Sequence, residues 1–280
     1  MMMRLPTRVT QATLASALML AMTLPAHAHR AWIVPQTTVV AGDSPMITLD
    51  AAISNDIFVS DYRAFNAAGL SAYDAEGNDL ALENVHSGRF RTTFDLTLAA
   101  PGTYRVASAS AGLSARWTNP DGSRGMFPGR GQSFNDAELE QAIPADADNL
   151  QISQVSRRIE TFMTNGQPDF DVIEPTAQGL EMRYLTHPND LYTQEDLVFQ
   201  LLIDGEPAAG ATVTLLRDGM KYRDQQDAIE VTTNAEGEMR FNLEQAGKYW
   251  LEARYQDEQA KAPATSRQGS YVVTLEVLGG

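Results

Sequence analysis

Hydrophobic positions along this chain fall in short alternating or unbroken runs divided by turn residues, not in the three-to-four-residue period of amphipathic helices. In the first third the runs are 31–34, 45–52, 70–73, 89–98 and 103–108. Within the fourth, Phe90, Thr92, Phe94, Leu96 and Leu98 alternate with Arg91, Thr93, Asp95 and Thr97, the period-two pattern of a strand with one buried face. The intervening AGDS, AEGND and APGTY stretches supply the Gly, Asn, Asp and Pro that tight connections need. A second series follows at 197–203, 211–216, 228–233, 239–243, 249–253 and 271–278. There GEPAAG and NAEG provide turns between strands, and Tyr249 and Trp250 read as packing residues.

These patterns predict an all-β protein of two immunoglobulin-like or prealbumin-like β-sandwich units, at 29–115 and 176–280. Residues 116–175 read as an irregular connecting segment. WTNPDGSRGMFPGRGQSF is rich in Gly and Pro, and the acidic NDAELEQAIPADADNL has room for a short helix at most. In QISQVSRRIETFMT the apolar residues fit both periods. Ile152, Val155, Ile159 and Phe162 recur as on a helix, while Val155, Ile159 and Met163 fall on one strand face; the β-branched content favours a strand.

Residues 1–28 have a different character. Arg4 and Arg8 precede an apolar run at 12–24, and Ala26-His27-Ala28 offers a small-residue cleavage site. This is the three-part signature of a secretory signal peptide, and the run is shorter than the roughly 20 residues that a membrane span needs. The expected product is a periplasmic or secreted chain that begins at His29 and has no transmembrane segment.

Composition narrows the chemistry. With 36 acidic and 21 basic residues the formal charge is −15, so nucleic acid is a poor partner. The absence of Cys excludes disulfides, iron–sulfur clusters, thiolate metal sites and a cysteine nucleophile. The four histidines, His27, His29, His86 and His187, form no metalloprotease pair, and no nucleophile elbow or phosphate-binding loop occurs. A non-catalytic role is therefore expected.

What remains is nitrogen and oxygen chemistry. Cleavage after Ala28 would place a free amine beside the imidazole of His29, and the two would chelate Cu(II), Ni(II) or Co(II). Cleavage after Ala26 would instead give His27-Ala28-His29, with an imidazole at the third position. His187 stands in a Thr-His-Pro-Asn-Asp turn, where Asp190 would ligate a metal or orient the ring; Asp61 is a further carboxylate candidate. Arg116, Arg124 and Arg130 gather around the Gly-rich loop at 119–131.

Several stretches carry a resemblance: AHAHRAWIVP, AAISNDIF, SGRFRTTFDLTLAAPGTYRV, SRRIETFMTNGQP, GLEMRYLTHPNDLYTQEDL and TTNAEGEMRFNLEQAGKYWLEARY. The chain resembles a secreted family of unknown function whose members are often labelled periplasmic accessory components of nickel or cobalt uptake. That resemblance implies a β-rich periplasmic protein that handles a transition metal near a membrane transporter or uptake receptor. It also implies matches at His29, Arg30, Trp32, Pro35 and 187–191. After Ser-Asn-Asp this chain has Asp61-Tyr62, where relatives often have His. The expected metal ligands are accordingly His29, His187, Asp190 and Asp61. Two other readings stay open: a structural or carbohydrate-facing β-sandwich module, and a copper oxygenase in which His29 and His187 form a histidine brace.

Overall fold

A computed structural model describes residues 29–280; the segment read as a signal peptide lies outside the described residues. The described residues are all-β, 51% of them in strands and 6% in helices, arranged as sandwich-like, mainly antiparallel sheets. Three sheets of five, ten and four strands build it. The first runs Arg30–Pro35, Met46–Ser54, Thr92–Thr97, Glu83–Ser87, with Arg63–Ala64 added to Met46–Ser54. The central sheet runs Ile229–Thr232, Thr212–Arg217, Gly247–Asp257, Ser266–Val277, Asp148–Asn165, Gly102–Thr118, Ser71–Tyr73, Asp79–Leu80. Arg124–Phe127 and Val39–Val40 join its margins. The third sheet is Leu180–Tyr184, Asp196–Ile203 and Glu206–Pro207, with Glu238–Asn242 on the other side of Asp196–Ile203.

The segment 116–175 is less irregular than its composition suggests. Asn119 and Gly122, the latter at φ +81°, turn a hairpin that returns along Arg124–Phe127. After two short helical turns at Asp136–Glu138 and Leu139–Ala142, the 18-residue strand Asp148–Asn165 enters the middle of the central sheet. It pairs antiparallel with Gly102–Thr118 and parallel with Ser266–Val277. Strands from both halves of the chain thus share one ladder.

Towards its end, over residues 160–165, both faces of this strand are covered. Met163 joins Ile33, Leu49, Phe94, Leu96 and Tyr104 beneath the first sheet. Phe162 points the other way, into the core of Tyr184, Leu197, Phe199, Leu251 and Tyr271 beneath the third. Ile159 packs against a third cluster, Trp32, Ala52, Ile57, Leu216, Met220, Trp250 and Val272, where the two halves meet. A strand buried on both sides has no reason to alternate, and this is why its sequence also suits a helix. The run at 89–98 shows a smaller difference. Gly88 and Arg91 close a turn by a backbone hydrogen bond, so the strand begins at Thr92 and Phe90 remains exposed.

Polar contacts reinforce the junctions. Trp250 Nε1 donates to the Ala31 carbonyl at 3.0 Å, and Lys248 Nζ donates to the carbonyls of Pro35 and Gln36 at 2.6 and 2.8 Å. On the opposite face Tyr184 donates to Tyr271 at 2.7 Å and Tyr271 donates to the buried Glu160. Burial, with the Glu160 charge in second place, pushes both phenols well above their ordinary range, which keeps them protonated donors. Arg158 joins the same strand to the third sheet through Glu181 at 2.9 Å.

Phe162, 1% exposed and edge-on to Tyr184 at 5.3 Å, tests the shared core. Phe162→Ala is expected to lower stability by about 3–5 kcal/mol in urea unfolding. The loss should appear in a single transition for the whole chain. Two separated transitions, with only one displaced, would mean that the halves are independent.

Candidate functional site

The turn that carries His187 is built as its sequence suggests, with the Asp190 N–H donating to the His187 carbonyl at 3.0 Å. The imidazole, however, points inward, and the residue is only 5% exposed. Its Nδ1 accepts from the backbone N–H of Asn189 at 3.1 Å. Its Nε2 lies 2.7 Å from the Asp169 carbonyl and 3.2 Å from Thr103 Oγ1. A carbonyl can only accept, so Nε2 carries the proton and the ring is neutral. Thr164 donates to the Asn189 side chain at 2.9 Å, and Phe170 meets the imidazole edge-on at 5.0 Å. Burial lowers the His187 pKa below its ordinary value, against smaller opposing effects of the Asp169 hydrogen bond and the Asp169 and Asp190 charges.

His187 is one of the expected ligands, and in this structure both of its ring nitrogens are engaged. One nitrogen's lone pair receives a backbone N–H and the other nitrogen carries a proton, so neither is open to a metal in this structure. The ring instead clamps the 169–173 turn against the ends of Gly102–Thr118 and Asp148–Asn165. Asp190, three residues on, is exposed.

His29 lies elsewhere. It is exposed and stacks on Tyr62 with ring centroids 3.7 Å apart and planes 19° from parallel. The next residue is already fixed: Arg30 opens the first strand, donates to the Asn55 carbonyl and to Gln226 Oε1 at 3.0 Å each, and lies 5.8 Å from the Trp250 ring. Asp61, adjacent to Tyr62, accepts from the Asn55 backbone at 2.9 Å and from its side chain at 3.2 Å, which holds the loop under the histidine. An exposed carboxylate oxygen has lone pairs left after one hydrogen bond, so this corner offers an imidazole and a carboxylate on neighbouring supports.

Among the described residues no three His, Asp or Glu side chains converge as a preformed metal centre. His29 and Asp61 share a neighbourhood; His187 and Asp190 form a different one. A brace of two imidazoles and an amine therefore lacks its second imidazole. His86 lies on the exposed strand Glu83–Ser87, and Arg116 and Arg124 on the hairpin beyond the sandwiches. Asp227 pairs with Arg223 at 3.2 Å, while Gln226 is taken by Arg30.

Residues 26–257 match the family described as a domain of unknown function, DUF4198. The chain belongs to the DUF4198 family. No curated protein matches it. Among solved structures, this DUF4198 chain is similar to the D0–D1 domains of intimin, at 11% identity and TM-score 0.24 over 87% of this chain and 96% of that one. A DUF4785 family protein from Legionella pneumophila aligns at 9% identity and TM-score 0.24, over 79% of this chain and 50% of that one. A marsupial T cell receptor aligns at 8% and 0.21, over 90% and 73%. Such scores carry no functional argument.

The lowered His187 pKa has a consequence for the stability of the DUF4198 fold. The unfolded chain takes up the proton more readily than the folded one, so the contribution is fully present above the ordinary histidine pKa of about 6.5 and is lost as pH falls below it. His187→Gln should destabilise the protein by about 1–3 kcal/mol at pH 7.5 and flatten the fall in stability between pH 7 and 5. Urea titrations of both proteins across that range test this. A wild-type slope retained in the variant would assign the pH dependence to other groups.

Proposed function

We propose that this chain is an exported, non-catalytic transition-metal-binding protein whose primary site is its processed amino terminus. The free amine and imidazole of His29 would close one chelate ring on Cu(II), Ni(II) or Co(II), and Asp61 would supply an oxygen. The observation that carries this reading is the placement of His29. Its ring is exposed and ordered against Tyr62 beside Asp61, and no hydrogen bond engages its nitrogens among the described residues. Arg30 begins a strand tied into both halves of the chain, so little freedom remains to be lost when a metal binds. The resemblance to proteins labelled as nickel or cobalt uptake components supports the same reading, with a periplasmic location and delivery to a membrane transporter or uptake receptor. His187 has no part in the site; its contribution is to the fold.

Isothermal titration of Cu(II) and Ni(II) into processed protein, with the terminus verified by mass, tests the proposal. One ion should bind per chain. Adding one residue ahead of His29 should weaken binding about tenfold or more, and Asp61→Asn should weaken it less. Affinity should fall between pH 8 and 5, because protons compete with the metal for the nitrogens. Equal affinity for the processed and extended chains would refute the site.

A further inference from the structure

The central sheet leaves part of one face bare between the two covering sheets. The registers align Val155, Gln268 and Gln256 in one row across three neighbouring strands, and Arg157, Ser270, Arg254 and Thr212 in the next across four. The following row, Ile159, Val272 and Glu252, runs under Trp32 and its cluster, so the first sheet forms one bank. At the end of the rows Gly112 pairs with Val155, and Phe134 lies directly on that glycine. A Cβ at Gly112 would come within 2.4 Å of Phe134 Cβ, so only glycine lets the aromatic ring settle there. The Arg157 guanidinium stands 5.5 Å over that ring. Along these rows, with Arg157 at one end, lies an open trench of about 500 Å³.

Its chemistry is selective. Val155, Gln268 and Ser270 are half-buried on the floor, while Arg157, Arg254, Gln256 and Thr212 stand exposed. The backbone groups beneath are occupied by the ladders, so recognition falls to side chains. Amides and hydroxyls that both donate and accept suit a ligand rich in hydroxyls, whereas an apolar ligand would strand them without partners. Arg254 is paired with Glu252 at 2.9 Å. Arg157 stacks on Phe134 and forms no ion pair among the described residues, which leaves a planar fork for one carboxylate. Four strands span roughly 14 Å, room for a few sugar units laid across them. A densely charged polyanion would meet the field of a chain at −15, but a polyol with spaced carboxylates would meet much less of it.

We propose that this trench binds a uronic-acid-containing oligosaccharide, with sugar hydroxyls on Gln256, Gln268 and Ser270 and a carboxylate on Arg157. This goes beyond the metal-binding reading and does not depend on it. Titration calorimetry of the full processed chain, without added metal, would use oligogalacturonate and oligomannuronate, with maltotetraose and tetraglutamate as neutral-sugar and sugar-free acidic controls. At least one uronate oligomer should bind saturably and more tightly than either control. Arg157→Gln and Gln268→Ala should each weaken that binding about tenfold. Melting temperatures of both variants should stay near that of the parent, since neither side chain is in the core. Absence of uronate binding, unchanged affinity in both variants, or tetraglutamate binding as tightly as the uronates would overturn the proposal, the last in favour of an acidic peptide.

Discussion

The constraint on which this structure depends is that the last third of one strand, residues 160–165 of Asp148–Asn165, must be buried on both faces at once. Its Met163 side completes the core of the amino-terminal sandwich and its Phe162 side completes the core of the carboxy-terminal one. Neither sandwich closes without it, because it is also the ladder partner of Gly102–Thr118 on one edge and Ser266–Val277 on the other. Polar groups on such a strand have to be matched within the protein. Glu160 accepts from Tyr271 through Oε1 and has its Oε2 3.7 Å from Arg158, which pairs in turn with Glu181. The hydrogen bonds of His187 and Asn189 follow from the same requirement where the strand ends.

Both proposed sites lie where the packed cores do not reach. A rigid sheet whose cores are full leaves two exposed positions with unusual chemistry: the corner where the chain enters its first strand, and the bare polar rows on the central sheet. At the corner, Arg30 and Trp250 fix the backbone so that His29 projects from a firm support onto Tyr62. On the sheet, Gly112 allows Phe134 to seat beside the trench and support the Arg157 guanidinium. Preorganisation is common to both, since each holds its polar groups in place by packing that exists before any ligand arrives.

How much of this is legible in the sequence depends on how far apart the partners lie. The strands at 31–34, 45–52 and 197–203 can be read because alternation and turn residues are local signals. The His187 turn is legible for the same reason, through Pro188, Asn189 and Asp190. The burial of its ring is not, because Thr103 stands 84 positions away and the covering Phe170 belongs to another turn. A histidine in a polar loop motif therefore gives no sign in the sequence that its ring is held inside the protein. The connecting segment misleads for a different reason: its Gly- and Pro-rich beginning signals a loop, while the strand that follows ends buried on both faces and loses its period there. The polar rows leave only a faint trace, Arg254 and Gln256 in one strand and Ser270 and Gln268 in another, in positions where a buried face would have apolar residues.

The shared strand is tested most directly by native-state amide hydrogen exchange followed residue by residue. If it closes both sandwiches, the amides of 155–164 should be among the slowest in the molecule. Their opening free energies should match those of paired amides in both Gly102–Thr118 and Ser266–Val277, near the global stability. If instead the Ser266–Val277 ladder opened at a clearly lower free energy than the Gly102–Thr118 ladder, the two halves would be separate cooperative units that merely touch, and Asp148–Asn165 would not be the strand on which both depend.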